Sequence, residues 1–234
     1  TIQFFQQFLT ENNINVQNED PQKIIDGTFY DILESKIFKN LESLSGEFFS
    51  VRSSALVEDG KKQSYAGQFQ TFLGVEKSKI LESIKKCWAS IYEIPDAENK
   101  MAVVIQEMVE ADFSGVSFSL HPVTGKHDEI VCEVIRGLGE LMVQGAVSPC
   151  HYVIDKNSLE TKEAFLSDQS DRLILDVSGG TFLKKIKETI LLSDDLLLEI
   201  AIQTKKIEIY FQYPVDIEWA VKDEKVYILQ ARPI

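Results

Sequence analysis

The residues best placed to do chemistry lie near the C-terminus, where Pro214 to Val221 and Val226 to Ile234 alternate like the two strands of a hairpin. Side chains along a strand alternate faces. Asp216, Glu218 and Ala220 then point one way, and Val215, Ile217, Trp219 and Val221 the other way, towards a core. On the second strand, Gln230 and Arg232 share a face opposite Leu229 and Ala231. Register decides whether the two polar sets meet. A turn with an odd number of residues, such as Asp223–Glu224–Lys225, sets Glu218 across from Gln230 and Asp216 across from Arg232. An even turn puts the sets on opposite faces, because a one-residue slip flips every side chain. With the odd turn, a carboxylate and an amide oxygen converge as hard ligands suited to Mg²⁺, and the guanidinium stands ready for a phosphate. Such a turn usually needs one residue in the left-handed conformation, and no glycine is present to supply it. Two outward acids beside an apolar row also fit a plain solvated face.

Arg52 is the second candidate. It ends the short apolar run Phe48–Phe49–Ser50–Val51 and is followed by Ser53–Ser54 and the acids Glu58–Asp59. An arginine at a strand end beside hydroxyls suits a triphosphate and equally suits a surface ion pair. Ser64–Tyr65–Ala66–Gly67–Gln68 is a small-residue segment whose backbone N–H groups could approach a phosphate, although an ordinary turn is the simpler reading. Gly137–Leu138–Gly139–Glu140 carries the same two readings, a tight turn or a close approach to a ligand. Neither segment is a Gly-x-x-x-x-Gly-Lys-Ser phosphate loop or a Gly-x-Gly-x-x-Gly dinucleotide motif.

The 234 residues carry a formal net charge of −13, with 44% hydrophobic and 26% charged residues, enough for one good core or two small ones. Such a surface repels a phosphate backbone, so nucleic acid is not an expected partner. A nucleotide remains compatible, because a few converging cations and a metal override the global field locally. The arginines, at 52, 136, 172 and 232, therefore matter individually. Cys87, Cys132 and Cys150 are far apart and read as reduced thiols of a cytoplasmic protein. His121, His127 and His151 form no ligand pair. No apolar run approaches a membrane span, and no basic stretch precedes an apolar one at the N-terminus, so neither a membrane nor a signal peptide is expected.

The elements that must position these residues follow from periodicity. Residues 1–45 read as helical, with Phe4, Phe5, Phe8 and Leu9 and then Ile24, Ile25, Phe29, Ile32, Leu33, Ile37 and Leu41 at helical spacing. Residues 77–92 form an amphipathic helix with Ile80, Leu81, Ile84, Trp88 and Ile91 on one face. Val103–Ile105 belong to a buried strand, Val116 and Phe118 start a second, and Ile130–Ile135 a third. After Gly179–Gly180 a helical pair is expected, Phe182 to Leu192 and Asp194 to Phe211, the latter capped by Ser193. Strands and helices alternate irregularly, so the class is α+β.

Several of these segments, in this order, resemble the nucleotide-binding domain of phosphoenolpyruvate synthase and pyruvate phosphate dikinase. They are Val51–Arg52–Ser53–Ser54–Ala55 with Glu58–Asp59, Ser64–Tyr65–Ala66–Gly67–Gln68, and Thr71–Phe72–Leu73. Next come Val104–Ile105–Gln106–Glu107–Met108–Val109, Ser114–Gly115–Val116–Ser117–Phe118, and Gly137–Leu138–Gly139–Glu140 with Val143–Gln144–Gly145. Asp216–Ile217–Glu218–Trp219–Ala220 and Leu229–Gln230–Ala231–Arg232–Pro233 complete the series.

The resemblance implies an ATP-grasp-like fold with mixed or antiparallel sheets, in which two subdomains, residues 1–100 and 101–234, hold ATP. It implies that Arg52 and Arg232 contact the transferring phosphates and that Gly67 and Thr71 lie on the loop covering them. Gln106 would help hold the adenine end, and Glu218 and Gln230 would bind Mg²⁺ with Asp216 supporting them. A phosphohistidine domain and an acceptor domain are the implied partners in a longer protein.

The family's Gly-Gly-Lys-Gly segment is not found in residues 1–45, so a truncated N-terminal part is expected. The region before Met101 is shortened, and Cys150 stands where an aspartate usually follows proline. The acceptor stays open between pyruvate, an antibiotic, a glucan and a biosynthetic intermediate. A degenerate nucleotide-binding module is the alternative. Retention of Arg52, Glu218, Gln230 and Arg232 together favours a working site.

Overall fold

The computed structural model describes residues 2–16, 20–55, 70–93 and 101–234. The chain forms two compact units, Thr1–Met108 with Leu175–Thr181, and Val109–Ile174 with Phe182–Ile234. The division falls after Met108 rather than at the expected residue 100. The strand Met101–Glu107 hydrogen-bonds in register along Phe49–Ala55 and so belongs with the first unit.

In the first unit, helices α1 (Ile2–Glu11), α2 (Gln22–Asp26) and α3 (Asp31–Leu41) precede β1 (Phe48–Ala55), β2 (Thr71–Glu76), α4 (Ile80–Ala89) and β3 (Met101–Glu107). The expected 77–92 helix is α4 flanked by short 3₁₀ turns at Lys77–Lys79 and Ser90–Glu93. The three strands form an antiparallel sheet in the order β2-β1-β3. Its core is aromatic: Phe5 stacks on Trp88 at 5.1 Å between ring centroids, and Phe8 packs on the same indole. Phe49 and Val51 are buried in this cluster, which sends Ser50 and Arg52 to the opposite face. Val104, on that opposite face, is 42% exposed. The strand expected to be buried is therefore covered by the apolar cluster on one face, with Val104 on the other.

The second unit is built on an antiparallel sheet of six strands: β4 (Phe113–Phe118), β5 (Glu129–Arg136), β6 (Cys150–Asp155), β7 (Thr161–Phe165), β10 (Val215–Lys222) and β11 (Lys225–Pro233). Their order is β11-β10-β4-β5-β6-β7, so β10 lies between two partners and is hydrogen-bonded on both edges. The short helix α5 (Glu140–Val143) follows β5, and α6 (Asp194–Phe211) precedes β10. One sheet face is buried under α6, where Leu197, Ile200 and Ala201 meet Ile130, Cys132, Val134, Trp219 and Val221. Ser193 caps α6 as expected, its Oγ accepting the Leu196 N–H at 3.4 Å. The three cysteines are free and buried, and burial pushes the Cys87 and Cys132 thiols up to about 12.

The helix expected over Phe182–Leu192 is instead a strand. Strand β8 (Asp168–Leu175) pairs with β9 (Thr181–Thr189) in a separate two-stranded sheet. Its apolar spacing, Phe182, Ile186 and Ile190, fits a helix, but the preceding turn overrides it. Gly179 and Gly180 have φ of 89° and 81°, and the Asp176 N–H bonds to the Gly180 carbonyl, so the chain reverses into a hairpin.

Candidate functional site

The pairing on which the hairpin's chemistry depends is present. Asp216 lies opposite Arg232, and Glu218 opposite Gln230. It is reached by a different route from the expected odd turn. The turn has two residues, Asp223 and Glu224, with Lys222 paired to Lys225. Both turn residues have positive φ, 49° and 59°, the mirror-image turn that matches strand twist without help from a glycine. The Asp112 carboxylate supports it by accepting the Asp223 N–H at 3.1 Å. An even turn alone would separate the polar sets. A β-bulge corrects this: Glu218 pairs with Gln230 but Trp219 pairs with Ile228, leaving Leu229 as the extra residue.

The four side chains thus share the sheet face turned away from α6, on a strand fixed at both edges. Arg232 Nε and Nη2 both donate to Asp216 Oδ2, each at 2.7 Å. Asp216 is 7% exposed, and its Oδ1 is buried with no hydrogen-bond partner among the described residues. Glu218 and Gln230 sit beside it, both half-buried. A buried carboxylate oxygen left unpaired costs about 1–3 kcal/mol, and a hard cation relieves that cost. Asp216 Oδ1, the Glu218 carboxylate and the Gln230 amide oxygen are the donor types Mg²⁺ takes, so this set fits the ion. Among the described residues, no three His, Cys, Asp or Glu side chains gather as a metal cluster of their own. Any ion here therefore draws on the amide as well as the acids.

The first unit carries the remaining candidates. Arg52 lies on the central strand opposite Thr71 of β2 and Val104 of β3, and Thr71 is exposed. Arg52 Nη2 donates to Gln106 Oε1, so the structure brings these two expected site residues together. No sequence signal links them across their separation; only the β1–β3 pairing does. Gly67, with the Ser64–Gln68 segment and the Glu58–Asp59 pair, lies outside the described residues. The neighbouring Glu107 ties β3 to the loop before β1, its Oε1 accepting the N–H groups of Ser45 and Gly46. These bonds, Gly46 first, hold its carboxyl below the usual range.

Two further motif segments prove to be structural supports. A Cβ on Gly115 would lie 2.2 Å from both the Trp219 ring and the Glu133 carbonyl oxygen. The indole beside Glu218 therefore fits only because residue 115 has no side chain. In the Gly137–Glu140 segment, the Leu138 N–H donates to the Leu173 carbonyl at 2.9 Å, anchoring this turn to β8. Sequence reasoning also missed Glu133, which follows Glu218 and Val116 in the same cross-strand row and lies 3.6 Å from His151 Nδ1.

Residues 7–234 match the family model described as the pyruvate phosphate dikinase AMP/ATP-binding domain. The chain is similar to YvkC, an uncharacterized phosphotransferase of Bacillus subtilis (strain 168), with 32% identity covering 97% of this chain and 29% of that protein. It is similar to the phosphoenolpyruvate synthase of Pyrococcus furiosus, 33% identical over 84% of this chain and 27% of the relative. A third relative is the prodigiosin synthesizing transferase PigC of Serratia marcescens, 36% identical over 81% of this chain and 23% of the relative. The chain thus spans less than a third of the length of these curated relatives. Among the described residues, no helix is long and apolar enough to cross a membrane.

Proposed function

This chain belongs to the pyruvate phosphate dikinase AMP/ATP-binding domain family, and from that premise we propose that it holds ATP with Mg²⁺ for phosphoryl transfer in the cytoplasm. The observation that carries this reading is the shared face of β10 and β11, where Asp216 holds Arg232 and Glu218 stands opposite Gln230. The two compact units are read as the subdomains of an ATP-grasp-like fold. Glu218 and Gln230 hold the metal, supported by Asp216 through Oδ1. Arg232 and Arg52 contact the phosphates, and Thr71 and Gly67 belong to the segment that covers them. When bound, Mg²⁺ neutralises charge on the transferring phosphoryl group. The chain's own residues supply position and positive charge, which is most of what this reaction class asks of a protein.

The phosphoryl group is proposed to pass to a histidine on a separate domain and then to pyruvate or another acceptor. The acceptor is left as a class, because the relatives include both phosphoenolpyruvate synthases and a prodigiosin synthesizing transferase. Calorimetric titration of ATP with and without Mg²⁺ tests the reading. Glu218→Ala is expected to weaken Mg²⁺-dependent binding by about tenfold or more, roughly the 1.4 kcal/mol of one charge-assisted contact. Unchanged metal-dependent binding in the variant would remove Glu218 from the site and with it the core of the proposal.

A further inference from the structure

We propose that Gln106 is a positioning residue for Arg52, fixing its guanidinium through a neutral anchor, and that it does not serve the adenine end of the nucleotide. This rests on the reading of Arg52 as a phosphate contact and adds a residue that sets its orientation.

The geometry begins with register. Arg52 pairs with Val104, and Gln106, two residues further along β3, pairs with Ser50. Arg52 and Gln106 are therefore diagonal neighbours on one face, a relationship long side chains can span. The residue directly across from Gln106 is the small, buried Ser50. The guanidinium crosses this diagonal, and its Nη2 donates to Gln106 Oε1.

The anchor itself is held. Met108 N–H bonds to the Phe48 carbonyl at 2.9 Å, and Glu107 Oε1 accepts the Gly46 N–H at 2.8 Å. The chain just after Gln106 is thus fixed at two successive residues. An arginine loses rotamer freedom when it is fixed, and a partner that restrains it beforehand lowers the cost of phosphate capture.

The type of anchor matters as much as its presence. A guanidinium has five N–H donors, and an amide oxygen takes one without cancelling charge. The Asp216 carboxylate, by contrast with an amide, offsets charge on Arg232, which it binds. A glutamate at 106 would hold Arg52 equally well but oppose an approaching phosphate. The structure thus separates two properties, orientation and net charge, that a substitution series can read independently.

The test measures Mg²⁺–ATP and adenosine affinity by calorimetry for the full chain and for Gln106→Ala, Gln106→Glu, Arg52→Ala and the double variant Gln106→Ala/Arg52→Ala. Thermal melts establish that each variant is folded. Gln106→Ala is expected to weaken Mg²⁺–ATP about fivefold to tenfold and leave adenosine within about twofold. Gln106→Glu is expected to lose at least as much ATP affinity, again sparing adenosine. In the double variant, Gln106→Ala should add nothing to Arg52→Ala, the signature of residues acting as one unit. Equal losses for ATP and adenosine, or additive effects in the double variant, would overturn the proposal in favour of an independent nucleotide contact. An inert Gln106→Ala beside a damaging Arg52→Ala overturns the anchor alone. An inert Arg52→Ala overturns both the anchor and the phosphate role of Arg52.

Discussion

Asp216 Oδ2 takes two guanidinium N–H groups from Arg232, while Oδ1 of the same carboxylate is buried without a hydrogen-bond partner among the described residues. The pair is asymmetric: the Asp216 side chain is 9% exposed and that of Arg232 is 42% exposed. Removing either partner should therefore cost different amounts. Asp216→Ala leaves a guanidinium that water can reach, and about 1 kcal/mol is expected after allowance for solvent screening. Arg232→Ala strands a buried carboxylate, for which about 3 kcal/mol is expected. Urea denaturation of the two variants checks the order, and equal losses would contradict the asymmetry.

The hairpin turn offers a change with the opposite sign. Asp223 and Glu224 both hold positive φ, which side chains with a Cβ adopt at a cost. Replacing them by Asn-Gly, through Asp223→Asn and Glu224→Gly, should stabilise the chain by about 1 kcal/mol. The Asp223 backbone N–H that bonds to Asp112 is retained, so the turn keeps its support. The site residues lie beyond the bulge and nucleotide affinity should not change. Deleting Leu229 removes the bulge instead: Gln230 then follows Ile228, a regular ladder still sets Gln230 across from Glu218 and Arg232 across from Asp216, and Mg²⁺-dependent binding is expected to be retained. Calorimetry and thermal melts on the two variants provide the check, and loss of binding on deletion would show that the bulge itself, beyond the pairing, shapes the site.

That hairpin also shows how far the sequence could be read. Alternation made the two polar rows of β10 and β11 visible, but their pairing was expected only with an odd turn, and the turn has two residues. The bulge at Leu229 was not legible, because no glycine or proline marks it and its effect cancels an error of one in the turn. The β9 strand failed for a related reason: Phe182, Ile186 and Ile190 have helical spacing, and the reversal at Gly179–Gly180 decides the outcome. Helices α1, α3, α4 and α6 were legible because each buries a continuous apolar stripe. The Arg52–Gln106 bond was not, since it depends on a long-range register that neither residue encodes alone.

Gly115 links a motif segment to the core under the site. Trp219 is 1% exposed, and its ring and the Glu133 carbonyl occupy the space a Cβ at 115 would need. Neither is the far end of a flexible chain, so Gly115→Ala should force a shift of β4 against β10. A loss of about 2–3 kcal/mol is expected, in the range of overpacked cores. Because Glu218 precedes Trp219, Mg²⁺-dependent nucleotide binding should weaken as well. Tryptophan fluorescence reports the indole directly; an unshifted emission with unchanged stability would show that the indole moves aside at no cost.

The pH dependence of stability should contain a contribution from Glu129. This residue is 3% exposed, and its Oε1 accepts Lys162 Nζ at 2.9 Å and Lys126 Nζ at 3.0 Å. The Lys162 hydrogen bond, then that of Lys126, holds the Glu129 carboxyl below the usual glutamate range. The same pairing raises Lys162 above the usual lysine range, with the Glu129 hydrogen bond as the main cause. For a carboxyl depressed on folding, the stabilisation is present above its unfolded value, about 4.3, and is lost as pH falls through the lower folded value. For Lys162 the stabilisation is present below its unfolded value and is lost as pH rises through the higher folded one. Glu129→Gln should therefore lower the melting temperature most between about pH 6 and 9, with the difference narrowing towards acid and again at strongly alkaline pH. Melts of both proteins across that range provide the check. A difference that stays constant from neutral pH down to about pH 3 would assign the loss to packing rather than to charge.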